Sequence, residues 1–180
     1  TYVIRDLEPG TYTVDFEVQG FGKRQVPNVV VQAGRVLRVN ADMAVATAEQ
    51  TVQVTESAPL IDTTTTAVAT NITAAEFDKL PKARTFQSLV LLTPTANEGQ
   101  VEGGIQINGA SGSENQFFVD GISTNSLMNG HSRQNTAFEI LQEVQINTSG
   151  IAAQYGGALG GVISAITKSG GNDFHRDIHY

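Results

Sequence analysis

From Ile105 to Asn172 apolar residues come only in pairs and short runs, each cut by Gly, Asn, Asp or Ser before it reaches helical length. The runs are Ile105 with Ile107, Phe117 to Val119, Val144 with Ile146, and Val162 to Ile166. A segment punctuated this way is restricted to short strands joined by tight turns. The whole chain has 18 glycines and only 16% charged residues, a profile of a β-rich, turn-rich protein that argues against a coiled coil, long helices or an unstructured acidic tail.

With 180 residues, 40% of them hydrophobic, the chain can bury a core and leaves room for one domain or two small ones. Net charge is −7 and the 11 Lys and Arg are scattered, so no basic stripe is available to neutralise a phosphate backbone and no nucleic-acid partner is expected. The absence of cysteine excludes disulfides, thiolate metal sites and a Cys nucleophile, and fits a periplasmic or surface-facing protein. No apolar run approaches a spanning helix, and Thr1-Tyr2-Val3-Ile4 reads as a strand, as though the start were internal to a longer chain.

Residues 2 to 45 read as half-buried antiparallel strands. Tyr12, Val14, Phe16 and Val18 alternate with polar residues, as do Leu37, Val39, Ala41, Met43 and Val45, with turns at Glu8-Pro9-Gly10, Gly20-Phe21-Gly22 and Ala33-Gly34. Residues 46 to 70 shift to small polar and β-branched types around Pro59, an extended linker carrying one short strand at Thr51 to Thr55. Thr73-Ala74-Ala75-Glu76 is a capping box that predicts a helix ending before Pro81, with Ile72 stapled onto Phe77. A second short helix is predicted from Thr85, with Phe86, Leu89 and Val90 on one face and Pro94 beyond its end. The fold class is therefore α+β, a small mixed sheet with short helices preceded by a β-rich segment.

The order Ile107-Asn108-Gly109, Val119-Asp120-Gly121, Glu139 to Val144, Tyr155-Gly156, Gly160-Gly161-Val162-Ile163 and Thr167-Lys168 resembles the second half of the plug domain of TonB-dependent outer-membrane transporters. Leu7-x-Pro9-Gly10-x-Tyr12-x-Val14 with Gly20-Phe21 resembles the closing strands of a carboxypeptidase-regulatory-like, transthyretin-like β-sandwich, which precedes the plug in one branch of that family. The resemblance implies four parts: the end of the sandwich over 1–46, a linker over 47–70, the plug over 71–172, and over 173–180 the start of a first barrel strand, with Phe174, Arg176, Ile178 and Tyr180 on one face. A barrel of about 22 strands needs several hundred further residues.

It also implies a function: a gate that occludes the barrel lumen and couples TonB engagement to cargo uptake in the outer membrane, with the N-terminal part periplasmic. The implied partners are the periplasmic domain of TonB, the chain's own barrel and a cargo that no residue here selects. Gln50, Thr51, Val52, Gln53, Val54 and Thr55 stand where the family carries its TonB box, an extended segment that adds as a strand to TonB, although Glu56 replaces the usual Ala. The same residues also read as the last strand of the sandwich or a linker strand; the position just upstream of the plug favours the box. Asn108 replaces the arginine usual in I-R-G, which puts that plug-to-barrel salt bridge in doubt.

Polar loops at 109–115 and 125–135 offer Asn125, Met128, His131 and Arg133 as cargo contacts, with solvated connections as the plainer reading. No cofactor, metal site or catalytic group is expected. His175 and His179 share a strand face but stand roughly 13 Å apart. Ser111 lacks the last glycine and the strand-to-helix context of a nucleophile elbow. Two other classes compete: a structural or adhesive β-sandwich, which would run continuously with no helices at 73–92, and a hydrolase built on Ser111, which would need a histidine at its hydroxyl.

Overall fold

A computed structural model describes residues 2–45, 52–53, 66–77, 79–80, 85–99, 104–133, 136–172, 174 and 176, the backbone alone at 52–53. The chain forms two compact units, Thr1–Thr64 and Thr65–Tyr180.

In the first unit β1 (Gly10–Phe16) pairs antiparallel with β2 (Arg24–Val31), and β3 (Val52–Gln53) lies parallel along β2. The alternation read for Tyr12, Val14 and Phe16 is present, each of them half-buried between exposed Thr13 and Asp15. Two expected strands are not. Residues 2–4 join no ladder, and of 37–45 only Val45 does, in an isolated bridge to Phe21. Alternation describes one face of a strand, but a strand also needs a neighbour's backbone to pair with, and among the described residues 37–45 meet one only at the Val45 bridge and where the Gly22 amide donates to the Ala44 carbonyl at 2.9 Å.

The second unit is built on a five-stranded mixed sheet. Its members are β4 (Val68–Thr73), β7 (Gln116–Val119), β8 (Ile122–Ser123), β9 (Leu141–Ser149) and β10 (Val162–Thr167), in the order β4-β9-β10-β7-β8. All neighbours run antiparallel except β10 and β7. A separate hairpin joins β5 (Ala96–Glu98) to β6 (Ile105–Ile107). β4 starts within what the sequence suggests is linker.

Register explains the core. Ile72, Val144, Ala165 and Val119 stand in one cross-strand row, and Thr70, Ile146, Ile163 and Phe117 in the next, all on one face. Phe77, Phe86, Leu89, Val90, Ile107 and Leu141 complete the cluster on that face. Phe86 meets Phe117 edge to face with ring centroids 6.3 Å apart. Each such side chain, once buried, contributes about 1.5–3 kcal/mol of transfer free energy. The opposite face carries Asn71, Gln145 and Ser164 in one row and Asn147 and Gln116 in another, with Phe118 beneath the ring of Tyr155 at 5.4 Å.

Both expected helices exist but are single turns, α1 (Ala74–Phe77) and α2 (Gln87–Val90), so the continuous sandwich is excluded. The capping box is altered. Thr73 ends β4, and both its amide (2.8 Å) and its hydroxyl (2.9 Å) donate to Oε2 of Glu76. These bonds, first from the backbone N–H and then from the hydroxyl, hold the Glu76 carboxyl below its ordinary 4.5. A carboxylate depressed on folding stabilises above its unfolded pKa and loses that contribution as pH falls through the lower folded value. Glu76→Gln is thus expected to cost about 0.5 kcal/mol at pH 7, with the deficit shrinking below pH about 4.5 in urea titrations; a pH-independent deficit would show that the charge is not involved. No helix among the described residues is long and apolar enough to cross a membrane.

Candidate functional site

The Asn-Gly and Asp-Gly motifs are tight turns with a fastening function, and the second of them closes a hairpin. At Asp120-Gly121 both residues take positive φ (48° and 78°), which matches the twist required between β7 and β8 when only two residues connect them. The Asp120 side chain then reaches the end of β10, accepting from the Thr167 amide at 2.9 Å and the Thr167 hydroxyl at 2.8 Å. V-D-G and T-K, 47 residues apart, are one clamp. Asn108 (φ 54°) and Gly109 (φ 81°) repeat the turn after β6, closed by the Ala110 amide on the Ile107 carbonyl at 3.0 Å. The Asn108 side-chain amide donates to the Thr148 carbonyl on β9, so the residue that replaces the arginine ties β6 to the sheet.

The loop after β8 hangs on a pair of asparagines. Asn115 is fully buried and donates to the carbonyls of Ile105 and Gly112, while its Oδ1 accepts from the Gly161 amide at 2.9 Å. Asn125 accepts from the Phe117 amide at 2.7 Å and donates to the Asn115 carbonyl (2.7 Å) and the Gly130 carbonyl (2.6 Å). Read from sequence as a cargo contact, Asn125 has its amide taken up by the fold. The clasp projects the loop tip outward: Leu127 is 99% and Met128 97% exposed. His131 is half-buried with its imidazole against Gly104, and Arg133 is exposed while its amide donates to the Thr124 carbonyl at 2.9 Å. Of the four, Met128 and Arg133 are presented outward.

Ser111 opens a 3-10 turn at Gly112–Glu114, with its amide bound to Oε2 of Glu114 and its hydroxyl 2.8 Å from that of Ser113. This is a capping role, and among the described residues no histidine meets the hydroxyl. His175 and His179 lie outside the described residues.

Of the TonB-box-like residues, Gln50, Thr51, Val54 and Thr55 also lie outside them. Val52 and Gln53 are paired with β2, Arg24 opposite Val52 and Gln25 opposite Gln53. Of the expected barrel strand at 173–180, Phe174 and Arg176 are described and belong to no strand, and Phe174 is 90% exposed.

Sequence reasoning overlooks Glu143. It is buried on β9, and its carboxylate accepts a hydrogen bond from the side-chain amide of Asn71 on β4. The available signal is its place in the row facing away from the core, where a carboxylate next to amides is matched chemically.

A family model described as the TonB-dependent receptor plug domain matches residues 61–162, more than half of the chain. The chain is 32% identical over 186 residues to the TonB-dependent transporter Oar of Myxococcus xanthus, an alignment spanning 98% of this chain and 17% of that protein. The structure resembles that of the siderophore receptor PirA from Acinetobacter baumannii, with a TM-score of 0.50, 26% identity, and coverage of 58% of this chain and 18% of that one. The chain thus spans less than a fifth of the length of these relatives.

Proposed function

Because the chain belongs to the TonB-dependent receptor plug-domain family, we propose that its second unit is a non-catalytic gate seated in the lumen of an outer-membrane barrel, moved by TonB through residues 50–55. The observation that carries this reading is the convergence of the motifs on one sheet. Asn108, Asp120 and the Gly160-Gly161 step each fasten a different loop to β9, β10 or the buried Asn115. A gate must be cohesive while it blocks and openable from one side, and an edge strand attached to the linker offers such a side. β4 is that edge.

On this reading cargo approaches the tip at Leu127 and Met128 with Arg133 nearby, and the first unit lies in the periplasm. TonB engages the linker by strand addition, in which backbone donors and acceptors supply affinity. A proline at Val54 removes one donor and fixes φ. Val54→Pro is expected to weaken capture of the chain by the periplasmic domain of TonB at least tenfold in a quantitative pull-down, without changing its circular dichroism. Equal capture of both forms would exclude residues 50–55 as the contact.

A further inference from the structure

β2 has two hydrogen-bonding edges. One is taken by β1; on the other, Val52 and Gln53 lie in parallel register against Arg24 and Gln25. Among the described residues the ladder comprises these two pairs, and the sequence of β2 bears on how a partner strand can continue. Pro27 has no amide hydrogen, and Asn28 turns to a φ of 58°, so the register against β1 slips between Tyr12 and Val14. A parallel partner running beyond Gln25 would meet a missing donor and a broken pleat. The part of the edge that remains is held firm. The Gln25 side chain donates to Oδ1 of Asp15 at 2.7 Å, and the Arg24 guanidinium donates to the Asp42 carbonyl.

We propose that the edge of β2 at Arg24–Gln25 is a strand-accepting surface whose resident occupant is this chain's own Val52–Gln53 backbone. TonB then gains the linker only by taking over backbone groups that β2 holds at rest. The inference rests on the reading of residues 50–55 as the TonB contact. The parallel pairing of Val52 and Gln53 defines a resting position, and strand addition to TonB competes for the same backbone groups. The apparent affinity for TonB is lowered by the fraction of time the segment stays paired. The N-terminal unit thereby becomes a competitor that sets how readily the gate is engaged.

The chain lacks cysteine, so an introduced pair stands alone. Gln25 and Gln53 are ladder partners, and neighbouring strands about 5 Å apart match the Cα separation a disulfide needs. The full chain carrying Gln25→Cys and Gln53→Cys is expected to close an intramolecular disulfide under mild oxidation. Val31→Cys with Gln53→Cys, its first thiol roughly 20 Å further along β2, is expected to stay open. Oxidised Gln25→Cys/Gln53→Cys should bind the periplasmic domain of TonB at least tenfold more weakly than the reduced form, about 1.4 kcal/mol, with recovery in dithiothreitol. Failure of the pair to close, or equal binding in both redox states, overturns the proposal. If the disulfide closes but neither the reduced form nor the wild type binds TonB, the TonB reading of residues 50–55 falls, and the competitive role falls with it.

Discussion

Asn115→Leu is expected to destabilise the second unit by about 3 kcal/mol or more, the largest effect of any side chain outside the apolar core. Asn115 is fully buried, and its amide joins three stretches of backbone: the Ile105 carbonyl of β6, the Gly112 carbonyl of the 3-10 turn, and the Gly161 amide that leads into β10. Leucine fills a similar volume without a polar atom, so at least one buried donor and one buried acceptor lose their partner, at about 1–3 kcal/mol each. Relaxation of the loop toward water is obstructed by Gly160, which packs so closely that a Cβ there would collide with Oδ1 of Asn115. Asn115→Asp separates shape from hydrogen bonding. The carboxylate still accepts from Gly161 but faces two carbonyls it cannot donate to, and its charge is buried. It is expected to be at least as damaging at pH 7 and to recover partly under acid, where a protonated oxygen donates again. Amide hydrogen exchange in β7 and β10 reads both effects; protection within about 0.5 kcal/mol of wild type for either variant would refute the assignment.

The contrast between Asn115 and the turn motifs marks how far the sequence is legible. Asn108-Gly109 and Asp120-Gly121 announce their conformation locally, because a tight turn of this kind requires positive φ at both central residues and these residues tolerate it. The strand ends they bound are accordingly found where the glycines put them, and the apolar runs become β6, β7, β9 and β10. Which strand lies beside which is a different matter. β9 enters between β4 and β10, and β10 runs parallel to β7, pairings fixed by contacts across many tens of residues that no local pattern encodes. Asn125 shows the same division within the candidate site. A polar residue in a glycine-rich loop is expected to face water or cargo, but whether its amide meets water or a backbone carbonyl depends on the loop's path. Leu37 to Val45 err in the other direction, having the alternation of a strand while, among the described residues, only Val45 pairs, in its bridge to Phe21.

Gly150→Ala is expected to loosen the second unit at the start of β4. Gly150 follows β9 at φ 64°, and a Cβ built there would stand 2.6 Å from Cα of Ala67, 2.8 Å from its nitrogen and 2.9 Å from the Thr66 carbonyl oxygen. These are backbone atoms, which no rotamer change can move aside. Alanine in this conformation costs about 1–2 kcal/mol by itself, and the collision adds to it until Thr66 and Ala67 withdraw. Because β4 is an edge strand, the withdrawal need not dismantle the sheet; it breaks the pairing of Val68 with Ser149 and stops where register is better anchored. The anchor is three residues on, where the Asn71 amide donates to the buried carboxylate of Glu143. Hydrogen exchange at Val68 to Thr70 is therefore expected to quicken about 30-fold or more, corresponding to 2 kcal/mol or more at about 1.4 kcal/mol per decade, while β10 keeps its protection. Uniform loss across the sheet would mean that β4 does not open separately, and unchanged exchange would mean that the contact with Ala67 is not a constraint. If TonB pulls through the linker, force arrives at this same point. Gly150→Ala should then release Val68 at lower load and leave the Asn71–Glu143 bond as the next barrier, so that Asn71→Ala added to Gly150→Ala lets the opening run to Thr73.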